Sequence, residues 1–297
     1  MDSVVRSYLD DLVAAARGVL RPNLIGAYAA GSIGLDAFQP GRSDVDLALV
    51  VADTVPDGRK RALVAALRHE NLPCPARGLE LVVYRSAVAR SSTAEPGFEV
   101  ELNSGPRMDF RQTYSPDDRP VADGHFWYAL DRSILHQSGV ALFGPPAAEA
   151  FADVTPAELH KLLIDALSWW IALPTPPGDE PAPGAEDAVL GACRSLAKHR
   201  HGHWLSKSAA GHRIASDLSA PPAATPAAPA PAAAPAAAAP ASVAVAPASV
   251  AAARAVGVIR KAIAARGGGV PPFGGEARRF QRWVLAEIRH RAASTSR

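Results

Sequence analysis

Short apolar runs and helical stripes follow one another along the first half of the chain, and their spacing predicts its elements. Over residues 3–20, Val5, Leu9, Leu12, Val13, Ala16 and Val19 recur at helical intervals, with Asp2 or Ser3 placed to cap the start. Leu24-Ile25-Gly26-Ala27-Tyr28-Ala29-Ala30 is an unbroken apolar run stopped by Gly31, the pattern of a buried strand. Residues 45–52 (VDLALVVA) form a second such run, and Gly34, Asp36, Pro40 and Gly41 mark a loop between the two. Residues 57–70 read as a helix with Leu63, Ala66 and Leu67 inward and Arg59, Lys60, Arg61 and Arg68 on a solvated face. Gly78-Leu79-Glu80-Leu81-Val82-Val83-Tyr84 is a third strand with one acid embedded in it. Phe98-Glu99-Val100-Glu101-Leu102 alternates as a fourth strand would, with Glu99 and Glu101 expected on its solvent side. A helix begins at Trp127, and Gly144-Pro145-Pro146 closes this region.

Beyond residue 150 the pattern is helical. Thr155, Pro156 and Glu158 supply an N-cap, a first-turn proline and a capping-box acid for a helix whose apolar face runs from Leu159 to Trp170. Further helices are predicted over 187–201 and 276–291, the last with Phe280, Trp283, Val284 and Ile288 inward. Residues 218–253 carry no charge and are dominated by Ala and Pro. Frequent prolines oppose a stable helix, so this stretch is expected to be a disordered insertion.

Composition narrows the function. With 31 Lys+Arg against 29 Asp+Glu the net charge is +2, which gives no concentrated basic face for nucleic acid. Two cysteines, Cys74 and Cys193, are too few for a disulfide framework and fit buried thiols in a reducing compartment. Neither a signal peptide nor an apolar run of the ~20 residues that span a bilayer is apparent. A cytoplasmic monomer without a membrane or nucleic-acid partner is the expectation.

The chemistry concentrates between the first two strands and on the third. Asp44 and Asp46 are two apart, so in an extended chain they project together with α-carbons about 7 Å apart. Paired carboxylates repel unless a cation sits between them, and hard oxygen donors suit Mg²⁺, which takes phosphate oxygens among its remaining ligands. Gly31 allows close backbone approach, and the Ser32 hydroxyl and nearby amides can hydrogen-bond a phosphate. Glu80 is costly to bury alone. If its strand lies beside that of Asp46, it completes a cluster of three carboxylates.

Gly31-Ser32, then Asp44-Val45-Asp46, then Glu80 on a later strand resembles the nucleotidyltransferase superfamily. More narrowly the chain is similar to aminoglycoside adenylyltransferases of the streptomycin and spectinomycin type. Leu142-Phe143-Gly144-Pro145, Leu167-Ser168-Trp169-Trp170, Ala188-Val189-Leu190-Gly191-Ala192-Cys193-Arg194 and Leu205-Ser206-Lys207-Ser208-Ala209-Ala210 extend the likeness. The resemblance implies an α/β (α+β) nucleotidyltransferase domain with a mixed sheet over residues 1–150. A helical substrate-binding domain over 151–292 would follow, interrupted by the insertion at 218–253, with ATP between the two. Asp44, Asp46 and Glu80 would bind two Mg²⁺ ions. Glu80 would serve as the base for an attacking hydroxyl, and Ser32, Ser43, Arg194 and Lys207 would hold the triphosphate.

For the acceptor, the resemblance implies a polycationic aminoglycoside lying on Trp170, beside Glu186 and Asp187. Trp170 also fits an ordinary core position, and acids at a helix start also serve as caps. Two departures stand out: Gly105-Pro106-Arg107 occupies a turn where the family has an aromatic nearby, and Gly184 stands where it has an acid. Nucleotidyl transfer to another small molecule or to a protein is therefore the alternative, with a non-catalytic nucleotide-binding module behind it.

Overall fold

The structure is a computed structural model that describes residues 2–174, 180–220 and 247–294. By its contacts the chain divides into two units. One comprises Met1–Leu173, His201–Ser206 and Ile288–Arg297; the other comprises Pro174–Arg200 and Lys207–Glu287.

In the first unit the elements run α1 (Ser3–Leu20), β1 (Leu24–Ala29), α2 (Gly31–Gly34), β2 (Val45–Val51), α3 (Asp57–Leu67), β3 (Leu79–Arg85) and α4 (Ser86–Ala89). Then come β4 (Phe98–Gly105), β5 (Met108–Thr113), α5 (Phe126–Ser138), β6 (Val140–Phe143), α6 (Ala147–Ala150) and α7 (Pro156–Ala172). Two caps expected from the sequence are formed. Asp2 Oδ1 accepts from the Val4 N–H at 2.8 Å, and Thr155 Oγ1 accepts from the Glu158 N–H at 3.2 Å.

The strands form one six-stranded mixed sheet in the order β5-β4-β3-β2-β1-β6. Only β2 and β3 run parallel, with α3 making the connection between them. Val45, Leu47, Leu49, Leu79, Leu81, Val83, Val100 and Leu102 fill one face against Leu9 and Leu12 of α1 and Leu63 and Leu67 of α3. Each leucine fully buried there contributes about 2 kcal/mol. Ala48, Val50, Val82 and Tyr84 point to the other face, where Tyr128 and Leu135 of α5 and Phe151 cover them.

Three expectations change here. Glu99 and Glu101 are buried rather than solvent-facing, each 5% exposed. A register shift in the β3–β4 pairing, between Val100 and Phe98, interrupts the simple alternation. Glu99 meets Lys60 and Arg85, each at 3.0 Å, so Lys60 leaves the solvated face assigned to it. Glu101 meets Arg111 at 3.0 Å and also pairs with Arg119. Second, the boundary expected at residue 150 falls inside the first unit. The tryptophans of α7 pack on α5 and hold that helix to the sheet domain. Third, the ends of the 218–253 stretch are helical, because one helix reaches Ser219 and another begins at Pro247. Proline is tolerated in a first helical turn and alanine is the strongest helix former. The remainder of that stretch, 221–246, lies outside the described residues.

The second unit holds α8 (Ala185–His201) up to Arg200, α9 (Lys207–Ser219), α10 (Pro247–Arg266) and α11 (Gly274–Ser294) up to Glu287. A Cβ at Gly211 of α9 would come within 2.7 Å of Leu190 and 3.1 Å of Ile263, so glycine permits close packing on both α8 and α10. Among the described residues no helix is long and apolar enough to cross a membrane.

Candidate active site

Asp46 and Glu80 are each the second residue of their strand, β2 and β3. The parallel register sets Asp46 directly opposite Glu80. Directly paired residues share a face, and neighbouring strands lie about 4.8 Å apart. Both acids therefore lie at the same end of the sheet, on the side covered by α5. Asp44 precedes β2 by one residue. The pairing continues outward, because Asn103 of β4 is opposite Glu80 and Arg111 of β5 is opposite Asn103. Arg111, Asn103, Glu80 and Asp46 thus make one row across four strands.

The Gly31-Ser32 turn is fastened to this row. The Ala30 N–H donates to the Asp46 carbonyl at 2.9 Å. Gly31 has φ +51°, and a Cβ there would stand 1.7 Å from Asp46 Oδ2. Only glycine meets both demands. Ser32, in the first turn of α2, has a buried hydroxyl with no hydrogen-bond partner among the described residues. A buried hydroxyl left unpaired is costly, and a ligand oxygen would satisfy it. Ser43 differs: its hydroxyl accepts from the Gln39 N–H at 3.0 Å and closes the turn leading into β2.

Electrostatics mark Glu80. Burial, then the nearby carboxylates of Asp44 and Asp131, push it up to about 7, while Arg77 and Arg111 pull the other way. Asp44 itself forms an ion pair with Arg77 at 3.0 Å. Among the described residues no three His, Cys, Asp or Glu side chains are drawn together tightly enough to hold a metal ion. The donor set nevertheless fits Mg²⁺: oxygen-only ligands on adjacent strand ends, in mutual repulsion that a divalent cation relieves.

Away from the row, Glu101 ties the strand edge to α5. It accepts from Thr113 Oγ1 at 3.2 Å, and Arg119 in turn donates to the Tyr128 hydroxyl at 2.8 Å. Trp170 is 42% exposed and stands edge-on to Trp127 at 5.9 Å and to Trp169 at 5.1 Å. It belongs to an aromatic group on α5 and α7 rather than to a closed core.

In the second unit, Glu186 is buried and its carboxylate accepts from the Gly184 N–H at 3.1 Å, a cap at the start of α8. Asp187 pairs with Lys207 at 3.2 Å and Arg266 at 2.5 Å. Arg194 is half-buried on the same helix.

Arg77, Asn103 and Arg111 belong to no motif in the sequence. Arg77 lies three residues before Glu80, and that spacing was the available signal. Asn103 and Arg111 become neighbours of Glu80 only through strand register.

No family model matches the chain, and no curated protein matches it either. Among solved structures it is similar to a spectinomycin adenyltransferase from Enterococcus faecialis, crystallised with ATP and spectinomycin. The TM-score is 0.60 at 14% identity, over 96% of this chain and 99% of that one. At that identity the likeness is one of fold: the mixed sheet and helices of this chain follow an architecture that also serves an adenyltransferase.

Proposed function

We propose that this protein transfers AMP from ATP to a hydroxyl of an aminoglycoside-type antibiotic. The observation that carries the reading is the parallel register pairing Asp46 with Glu80, beside a glycine turn whose serine hydroxyl lacks a partner among the described residues. Asp44, Asp46 and Glu80 would hold Mg²⁺, which when bound neutralises charge on the phosphates and favours attack at phosphorus. Ser32 would donate to a phosphate oxygen. Arg194 and Lys207 would add positive charge to the triphosphate, and Ser43 would shape the turn beside it.

The acceptor hydroxyl oxygen would form a bond to the α-phosphorus. The bond from that phosphorus to the bridging oxygen would break, and pyrophosphate would leave. The hydroxyl proton would pass to the Glu80 carboxylate, the oxygen acceptor set opposite Asp46. Trp170, 42% exposed, would meet a cationic sugar, and Glu186 and Asp187 are the acids proposed to accompany it.

The test is pyrophosphate release by the full chain with Mg²⁺ and labelled ATP, across a panel including spectinomycin and streptomycin. Adenylylated antibiotic is the expected product. No release with any acceptor would overturn the reading.

A second reading keeps the chemistry and changes the acceptor to another small molecule or a protein. Arg111, exposed in the row with Glu80, favours it, because a guanidinium there opposes a polycation. Pyrophosphate release with a neutral or anionic acceptor, and none with aminoglycosides, would select it.

A further inference from the structure

Arg77 has a hydrogen-bonded backbone and a half-exposed side chain. Its N–H donates to the Ser43 carbonyl at 3.1 Å, and its own carbonyl accepts from the Arg107 N–H at 3.1 Å. Next to it, the Gly78 carbonyl accepts from the Val45 N–H at 2.8 Å, and a Cβ on Gly105 would fall 2.2 Å from Gly78 Cα. The backbone at Arg77 is therefore clamped between the start of β2 and the β4–β5 hairpin. Its side chain is 47% exposed and ends on Asp44, itself 26% exposed. The contact is a single one, Nη2 to Oδ2, at 3.0 Å.

That contact sits where a cation belongs. Asp44 lies two residues before Asp46, and Glu80 lies opposite Asp46. Three acids at one end of the sheet repel one another as they ionise, and Arg77 supplies a counter-charge to the first of them. A half-exposed ion pair is weak and screened by solvent, so a divalent ion displaces it readily. The displaced guanidinium stays rooted three residues from Glu80. A planar fork of donors so rooted is suited to phosphate oxygens arriving with the metal.

Resting on the nucleotidyl-transfer reading above, we infer that Arg77 occupies the Asp44 carboxylate in place of the metal and passes to the triphosphate when metal and nucleotide bind. The exchange keeps the carboxylates apart from one another before loading. It makes the divalent ion and the nucleotide share one arginine, so that the two bind as a pair.

The experiment uses the full chain, Mn²⁺ as the probe and α,β-methylene ATP as the uncleaved nucleotide, both measured by titration calorimetry. Arg77→Gln removes the competitor. It is expected to tighten Mn²⁺ alone by about two- to fivefold. With Mn²⁺ saturating, the same variant is expected to bind the nucleotide about tenfold more weakly. Arg77→Lys keeps the charge but not the fork, and is expected to bind Mn²⁺ as the wild type does and the nucleotide less tightly than it. This second variant also serves if Arg77→Gln fails to fold. Opposite signs for metal and nucleotide are what a purely structural ion pair would not produce.

Unchanged or weakened Mn²⁺ binding in Arg77→Gln, or nucleotide binding equal to wild type, overturns the inference while leaving nucleotidyl transfer intact. Wild-type protein that binds neither Mn²⁺ nor the nucleotide overturns the transfer reading, and the inference with it.

Discussion

Glu80 stands directly across a parallel strand pair from Asp46, one residue in from the start of each strand. Parallel pairing is the decisive part. In an antiparallel pair, two acids near the starts of their strands would lie at opposite ends of the sheet.

Glu80→Gln removes the proposed base and keeps its shape. Nucleotide binding should remain within about twofold of wild type, while transfer falls by about 10²- to 10⁴-fold. Pyrophosphate release measured beside nucleotide affinity checks this. Transfer at the wild-type rate refutes the assignment.

Gly31→Ala forces a methyl group into the Asp46 carboxylate and strains a backbone at φ +51°. The expected outcome is a loss of about 1–3 kcal/mol in urea unfolding, together with weaker Mn²⁺ binding. Unaltered metal affinity would show that the turn does not position Asp46.

The raised Glu80 predicts a pH signature for the metal-free protein. The unfolded chain gives up this proton near the ordinary carboxylate value of 4.5, whereas the folded chain keeps it up to about 7. Through that window the folded state binds more protons, so this group lowers stability as pH rises. A bound divalent ion competes with the proton and opposes the trend. Added Mg²⁺ should therefore raise the melting temperature more at about pH 8 than at about pH 5.5. Equal shifts at the two pH values would separate Glu80 from the metal.

Glu101→Ala leaves Arg119, 8% exposed, without its carboxylate. Breaking a buried pair from one side costs about 3–5 kcal/mol. Urea denaturation should register that loss, and the Glu101→Gln variant should recover part of it by still accepting from Thr113 Oγ1. A loss below about 1 kcal/mol would mean the pair acts as a surface one.

Much of the first unit was legible in the residues. The stripe from Val5 to Val19, the apolar runs at Leu24, Val45 and Leu79, and the cap at Thr155 all specify local structure through periodicity and side-chain chemistry, and each forms. The candidates Gly31, Ser32, Asp44, Asp46 and Glu80 were likewise visible, because carboxylates in apolar strands and a glycine at a strand end are local anomalies. Burial of Glu99 and Glu101 was not legible. Alternation announces two sides of a strand but not which is covered, and the register shift near Phe98 adds a displacement that no composition rule contains.

The sequence by itself determined the elements, the capping groups and the list of acids available for chemistry, since these depend on neighbours within a few residues. Tertiary structure alone decided that Glu80 faces Asp46, that Asn103 and Arg111 extend their row, and that Arg77 reaches Asp44. Those relations depend on hydrogen-bond register between strands and, for Arg77, on an ion pair between segments distant in sequence. A shift of one residue in that register would turn the same acids to the opposite side of the sheet.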